Sequence, residues 1–395
     1  MAAVEGVRPS GGSIFYDPRV RGAVYQIVVV TGLVALVYFA ASNAKINLER
    51  AHITTGLDFL SRNAGFDINQ TLISYSATTG TYGRAFLVGL LNTLILSAIG
   101  VVIATLLGFV IGVARLSTNW IVAKVASVYV ELVRNVPLLL QLFFWYNAVL
   151  KPLPSPRQSL DFGGGFFLNN RGLFLPEPVL GERGGIIPIV FLLGLIGAFG
   201  YSRWARRRQM ATGQQSPVGF VAAVLIVGLP IVAYFAAGQP VSFNYPALRG
   251  FNFTGGMQIY PEFVAMLLGL SIYTAAFIAE IVRAGILAVS KGQTEAARSL
   301  GLRAGPTLRL VIIPQAMRVI VPPLTNQYLN LTKNSSLAVA IGYPDLVQVF
   351  AGTVLNQTGQ AIEVIGITMA VYLFISLVTS IGMNFYNRRV AIVER

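Results

Sequence analysis

Residues 85–114 read AFLVGLLNTLILSAIGVVIATLLGFVIGVA. No charged side chain occurs in the run, and Asn92, Thr93, Ser97 and Thr105 are its only polar ones. Crossing the ~30 Å hydrocarbon core of a bilayer takes about 20 mostly apolar residues as a helix. A strand of a membrane barrel takes only ~9–11 and alternates apolar with polar. This segment is too long and too uniformly apolar for such a strand. It reads as a membrane-spanning helix, and its neighbours must be compatible with lipid.

Working outward, seven further segments have the same character. They are 24–41, 121–150, 186–201, 218–238, 261–287, 310–329 and 364–386. The fourth of the eight spans, 186–201, is short, and the seventh is interrupted by Pro314, Pro322 and Pro323. The first span also resembles a secretory leader, with Ser42, Asn43 and Ala44 as a small-residue site. A leader region of more than twenty residues carrying Glu5 and Asp17 favours a retained helix. The expected fold is therefore all-α and polytopic, with about eight transmembrane helices and no large domain outside the membrane.

Composition agrees. Of 395 residues, 55% are hydrophobic and 11% charged, and mean hydropathy is +0.68. Soluble domains carry about 25% charged residues, so an ordinary soluble enzyme is excluded. The absence of cysteine rules out disulfides, thiol nucleophiles and Cys-based metal sites. A single histidine, His52, cannot build a His-cluster metal site. The net charge of +14 would suggest nucleic acid in a soluble chain. In a membrane protein it marks loops retained in the cytoplasm. With the N-terminus inside, seventeen of the 29 Lys and Arg residues fall on inside segments, including Arg203, Arg206, Arg207 and Arg208. Both termini are expected in the cytoplasm.

The segment 290–314, SKGQTEAARSLGLRAGPTLRLVIIP, follows the sixth span on the expected cytoplasmic side. Ser290 with Gln293 fits a capping box, Gly301 suits a helix stop, and Gly305-Pro306 keeps that helix from resuming. The physics alone gives a short helix in a loop.

Glu295-Ala296-Ala297, Gly301 and then Val311-Ile312-Ile313-Pro314 resemble the EAA loop of ABC-importer permeases. Gly292-Gln293, Pro314-Gln315-Ala316 and Leu331–Leu337 (LTKNSSL) resemble the branch that takes up polar amino acids. So does Tyr129–Tyr146, YVELVRNVPLLLQLFFWY. The resemblance implies a five-helix type I importer core with one added N-terminal helix and two inserted ones, like the general L-amino-acid permeases. Residues 1–84 would hold the N-terminus, extra helix and first outer loop. Residues 85–150 and 261–395 would hold the core, and 151–260 the insertion. The family places such a protein in the bacterial inner membrane. Its partners there are a cytoplasmic ATPase dimer, a periplasmic amino-acid-binding protein, and a second related permease or a second copy of the chain. No nucleic acid is expected. Glu295, Ala296, Ala297, Arg298 and Gly301 would form the handle gripped by the ATPase. ATP and Mg would be held by that partner, because the chain lacks any Gly-Lys step from which to build a phosphate-binding loop.

Ionisable residues inside spans mark function by default. Glu131 with Arg134, Glu280 with Arg283, and Arg318 with Asn326 and Asn330 lie in or beside spans, followed by Lys333, Asn334, Ser335 and Ser336. They offer both signs of charge to a zwitterionic substrate. Each Glu–Arg pair is equally an internal salt bridge at i,i+3. The repeat Gly100, Ala104, Gly108, Gly112 marks close helix packing. The competing function is an ion- or proton-coupled transporter, which would show paired broken helices in inverted repeats.

Overall fold

A computed structural model describes residues 18–50, 56–181 and 183–390; His52 lies outside them. Helix α1 is Pro18–Arg50, α2 Tyr82–Ala114, α3 Trp120–Asn135 and α4 Leu138–Phe143, the last continued by a π-helical stretch, Phe144–Leu150. Then come α5 (Ile186–Thr212), α6 (Val218–Ala223), a π stretch at Val224–Gly228, and α7 (Leu229–Ala236). Helix α8 is Pro261–Leu287, α9 Lys291–Ser299, and α10 Ala304–Thr307. A π stretch, Leu308–Ile312, leads into α11, Ile313–Asn334. A 3-10 turn (Ser335–Ile341), a π stretch (Val347–Val354) and α12 (Leu355–Thr358) precede α13, Ala361–Val390. Among the described residues seven helical segments are long and apolar enough to span a bilayer, and counting the bent pair α3–α4 as one span raises the number to eight.

Helix α8 is the centre of the bundle. It packs along α2 on one side, α11 on another, and α3 and α4 on a third. The α2–α8 seam is made by the small residues at 100, 104, 108 and 112. A Cβ on Gly108 would lie 2.5 Å from Ile278 Cγ2, and one on Gly112 would lie 2.7 Å from the Ala279 carbonyl oxygen. Ala104 is fully buried. Between helices in lipid such close approach replaces the hydrophobic effect as the source of packing energy. Gly108→Leu is therefore expected to destabilise the protein by about 1–3 kcal/mol through overpacking. Leu106→Ala, on the lipid-exposed face of the same helix, should change little. Thermal unfolding in detergent compares the two.

Three spans differ from the sequence reading. The third is not one helix: α3 and α4 meet at 105°. Pro137 has no N–H to give the Val133 carbonyl, and the Gln141 side-chain amide replaces it, donating to Val133 O at 2.8 Å and Val136 O at 2.9 Å. The fourth is longer than 186–201, because α5 runs on to Thr212. The seventh is not broken, since α11 continues through Pro322 and Pro323. Neighbouring helices and local adjustment tolerate proline in such helices.

The insertion forms its own unit. Helices α5, α6 and α7 make a hairpin that packs on itself and has no substantial contact with the bundle. Gly194 and Ala198, buried on α5, let the opposing backbone at Leu225 come close. At the end opposite the α5–α6 turn lie short strands that the sequence reading did not expect. They are β1 (Leu160–Asp161), β2 (Phe167–Asn169), β3 (Gly172–Leu175), β4 (Glu177–Leu180), β5 (Val241–Asn244), β6 (Ala247–Arg249), β7 (Asn252–Thr254) and β8 (Met257–Ile259). They form an antiparallel sheet β1-β2-β3-β8 and two ribbons, β4-β5 and β6-β7. Phe253 stacks between Phe167 and Phe174 to hold the ribbon and sheet together. No residue in the span of α1 is buried, so this helix stands apart from the bundle.

Candidate functional site

The turn between α8 and α11 displays a short, well-terminated helix. Helix α9 ends in a Schellman motif: the Leu302 N–H donates to Ala297 O at 3.1 Å and the Gly301 N–H to Arg298 O at 2.9 Å. Gly301 sits at φ +76, where glycine carries no Cβ penalty. The start of α9 differs from expectation. Ser290 makes no side-chain cap, and Gln293 is turned instead to α11, where its Oε1 accepts from Gln315 Nε2 at 3.2 Å. Ala297 is buried, while Glu295, Ala296, Arg298 and Leu300 face outward. The exposed side of α9 is thus a compact handle, and the Gln293–Gln315 bond ties it to the foot of α11.

Toward the same end of the bundle lies an ion cluster. Glu280 accepts from Arg115 and, at 2.8 Å, from Arg283, while Arg134 is 3.9 Å away. One carboxylate on α8 thus holds guanidinium groups from three places: its own helix, α3, and the end of α2. Arg134 also lies over the Phe277 ring, 5.0 Å from its centre. The i,i+3 partner expected for Arg134 was Glu131. The two do not pair, and Glu131 is exposed on α3. Arg115 is the member of the cluster that lies outside the eight spans expected from sequence. Within-helix spacing cannot reveal a partner on another helix.

Helix α11 carries the remaining polar candidates on an unburied face. Val319, Pro322, Asn326, Asn330 and Lys333 are exposed and recur every three or four residues, while Ala316, Ile320, Leu324 and Leu331 face the core. Arg318 is half-buried beside this stripe. Two asparagines and a lysine on an outer face are costly against hydrocarbon. The stripe therefore belongs against protein or water.

At the end of α11 away from α9 the chain closes on a buried polar knot. Asn92 Nδ2 donates to Gln70 O and Pro344 O, both at 2.9 Å. Thr93 Oγ1 accepts from the Leu346 N–H at 3.0 Å, and Tyr343 OH donates to Asn92 O at 3.1 Å. Asp345 is fully buried; its Oδ1 accepts from the Gln348 N–H at 2.8 Å and starts the helix that follows. Ser335 is buried here, bonded to Thr332 O, and Asn334 is half-buried. Lys333 and Ser336 border a groove of about 510 Å³ that includes Thr368, Tyr372 and Ser376.

Burial pushes the Asp345 carboxyl up to about 7. A carboxyl raised on folding favours the folded state while protonated. That advantage is complete below its ordinary value near 4 and fades as pH rises through 7. Thermal stability of the wild type is expected to fall between pH 5 and pH 8 by more than that of Asp345→Asn. Parallel curves would remove Asp345 as the cause.

No group of carboxylates and histidines suited to a metal ion occurs among the described residues.

Residues 100–392 match the family model described as binding-protein-dependent transport system inner membrane component. The putative amino-acid ABC transporter permease protein YhdX of Escherichia coli is 54% identical over 385 residues, covering 98% of both chains. The general L-amino acid transport system permease protein AapQ of Rhizobium johnstonii is 49% identical, covering 97% of this chain and 95% of the relative. The glutamate/glutamine/aspartate/asparagine transport system permease protein BztB of Rhodobacter capsulatus is 43% identical, covering 97% and 96%.

Proposed function

Because the chain belongs to the inner-membrane components of binding-protein-dependent transport systems, we propose that it is the permease half of an ATP-driven importer of L-amino acids. In this arrangement the α9 end faces the cytoplasm with both termini, and the strand layer faces the periplasm of a bacterial inner membrane. An ATPase dimer grips α9 and hydrolyses ATP with Mg; this chain supplies no catalytic residue. A periplasmic binding protein delivers the amino acid at the strand side. A second, related permease completes the pathway, or a second copy of this chain does.

One observation carries the reading. The helix whose exposed face bears Asn326, Asn330 and Lys333 is the helix bonded to the exposed handle, through Gln315 and Gln293. A displacement of α9 is passed to α11 and hence to the polar stripe. The stripe offers amide donors and acceptors and one ammonium, suited to a substrate with a carboxylate and an amine. Facing the second permease, it lines the route between the two halves. Ser335 and Asn334 act at the mouth by holding its shape, and Arg318 adds a cation beside it. Glu280, Arg134 and Glu131 stand aside from the stripe; the first two brace the α2–α3–α8 junction.

Asn326→Leu combined with Asn330→Leu is expected to lower amino-acid uptake at least tenfold, about the size of losing one hydrogen bond to a charged ligand. Assembly with the ATPase should be unchanged. Unaltered transport kinetics in the double variant would remove the stripe from the pathway.

A further inference from the structure

The inserted hairpin carries a second feature that transport does not use. Between Arg183 and Pro261 the sequence contains no Asp or Glu, yet Arg203, Arg206, Arg207 and Arg208 fall within six residues at the inner end of α5. All four are exposed. Arg203 lies over the Phe199 ring at 4.6 Å, and Arg208 over the Trp204 ring at 5.3 Å while donating to Gln214 Oε1 at 3.0 Å. Arg206 and Arg207 have no hydrogen-bond or ion-pair partner among the described residues. The hairpin has no substantial contact with the bundle. The carbonyl end of a helix offsets about half a unit charge. Four guanidinium groups therefore lack a protein counter-charge.

Position says what meets them. About 20 residues of helix cross the hydrocarbon core. Counted from Ile186, the start of α5, the far boundary falls near residue 206, within the arginine cluster. Phe191, Leu192, Leu193, Ile196 and Phe199 are exposed above it, so the face of α5 turned away from the hairpin partner meets hydrocarbon. Trp204 and Tyr201 sit at the boundary, where indole and phenol rings settle. Acyl chains held against those apolar residues bring their headgroups level with the guanidiniums.

We propose that the inner end of the α5 hairpin is a binding surface for anionic phospholipid. The headgroup phosphate is held by Arg206 and Arg207, with Arg203 and Arg208 pre-ordered on their aromatic rings. Guanidinium suits phosphate because its planar fork donates two parallel hydrogen bonds. The inserted pair of helices then attaches the permease to acidic lipid, beside the transport pathway.

The test is native mass spectrometry of the full chain released from micelles containing equal phosphatidylglycerol and phosphatidylethanolamine. The wild type is expected to retain phosphatidylglycerol preferentially, and Arg206→Gln with Arg207→Gln to lose that preference by roughly tenfold or more. Arg206→Lys with Arg207→Lys keeps the charge without the fork and should retain only part of it. Because the chain has no cysteine, a single Gln215→Cys, at an exposed position of the same loop, reports by thiol labelling that the loop remains on the same side in each variant. Arg203 and Arg208 are left in place to secure this. Equal retention of the two lipids by the wild type, or an unchanged preference in the Gln pair, would overturn the proposal. So would displacement of the retained lipid by millimolar inorganic phosphate, which would show a free-anion site. Loss of an acidic partner protein without any lipid change would assign the surface to protein instead.

Discussion

Glu295→Lys is expected to cut ATP-driven amino-acid uptake at least tenfold while the chain still inserts and pairs. Glu295 is exposed on α9, and the helix holds its shape through the Gly301 Schellman turn, to which the Glu295 side chain contributes nothing. The substitution therefore leaves the fold alone and reverses the charge offered to the ATPase. Reversing a charge at the centre of an interface costs several kcal/mol through like-charge juxtaposition. At 1.4 kcal/mol per decade that amounts to two orders of magnitude or more in the affinity of the grip. Deletion of residues 296–301 should be at least as severe, because it removes the handle with its terminus. Uptake in cells, read beside the amount of chain in the membrane fraction, measures both. Wild-type uptake in either variant would detach α9 from energy coupling.

The second large effect is structural. Glu280→Gln removes the one carboxylate facing Arg115, Arg134 and Arg283. Breaking a fully buried pair costs ~3–5 kcal/mol because the surviving charge is stranded. Glu280 is 27% exposed and Arg134 39%, so solvent screens part of the loss and about 1–3 kcal/mol remains. The variant should unfold several degrees lower in detergent. Adding Arg115→Gln, which removes the most buried of the three guanidiniums, should restore part of the stability. Simple addition of the two losses would show that the groups do not interact.

Much of the fold was legible because lipid imposes a plain rule. Uninterrupted apolar length announces a span, and the seam of glycines along α2 announced its close neighbour. The bend between α3 and α4 escaped because the two arms together are apolar enough to be read as one span. The proline itself was the available signal, with Gln141 four residues on. The opposite error was made at Pro322 and Pro323, where two prolines suggested a break that packing against α8 tolerates. Strands of two to four residues among glycines, such as Leu160–Asp161 and Phe167–Asn169, have too few alternations to separate from loop. At the site, α9 was readable from its glycine stop, which acts within one turn of the helix, although the capping box expected of Ser290 and Gln293 does not form. The Glu280 cluster was half readable. Arg283 lies within helical reach in sequence, but Arg115 and Arg134 reach Glu280 only through the folded bundle.

In the proposed importer, uptake is powered through α9 by a separate ATPase. The direct measurement is labelled L-amino acid uptake into proteoliposomes. One set would hold the complete assembly with ATP on the α9 side and binding protein on the other, and a matched set this chain alone under a proton or sodium gradient. ATP-dependent accumulation in the first, abolished by Glu295→Lys, with none in the second, is the predicted result. Gradient-driven accumulation by the chain alone, insensitive to Glu295→Lys, would contradict it.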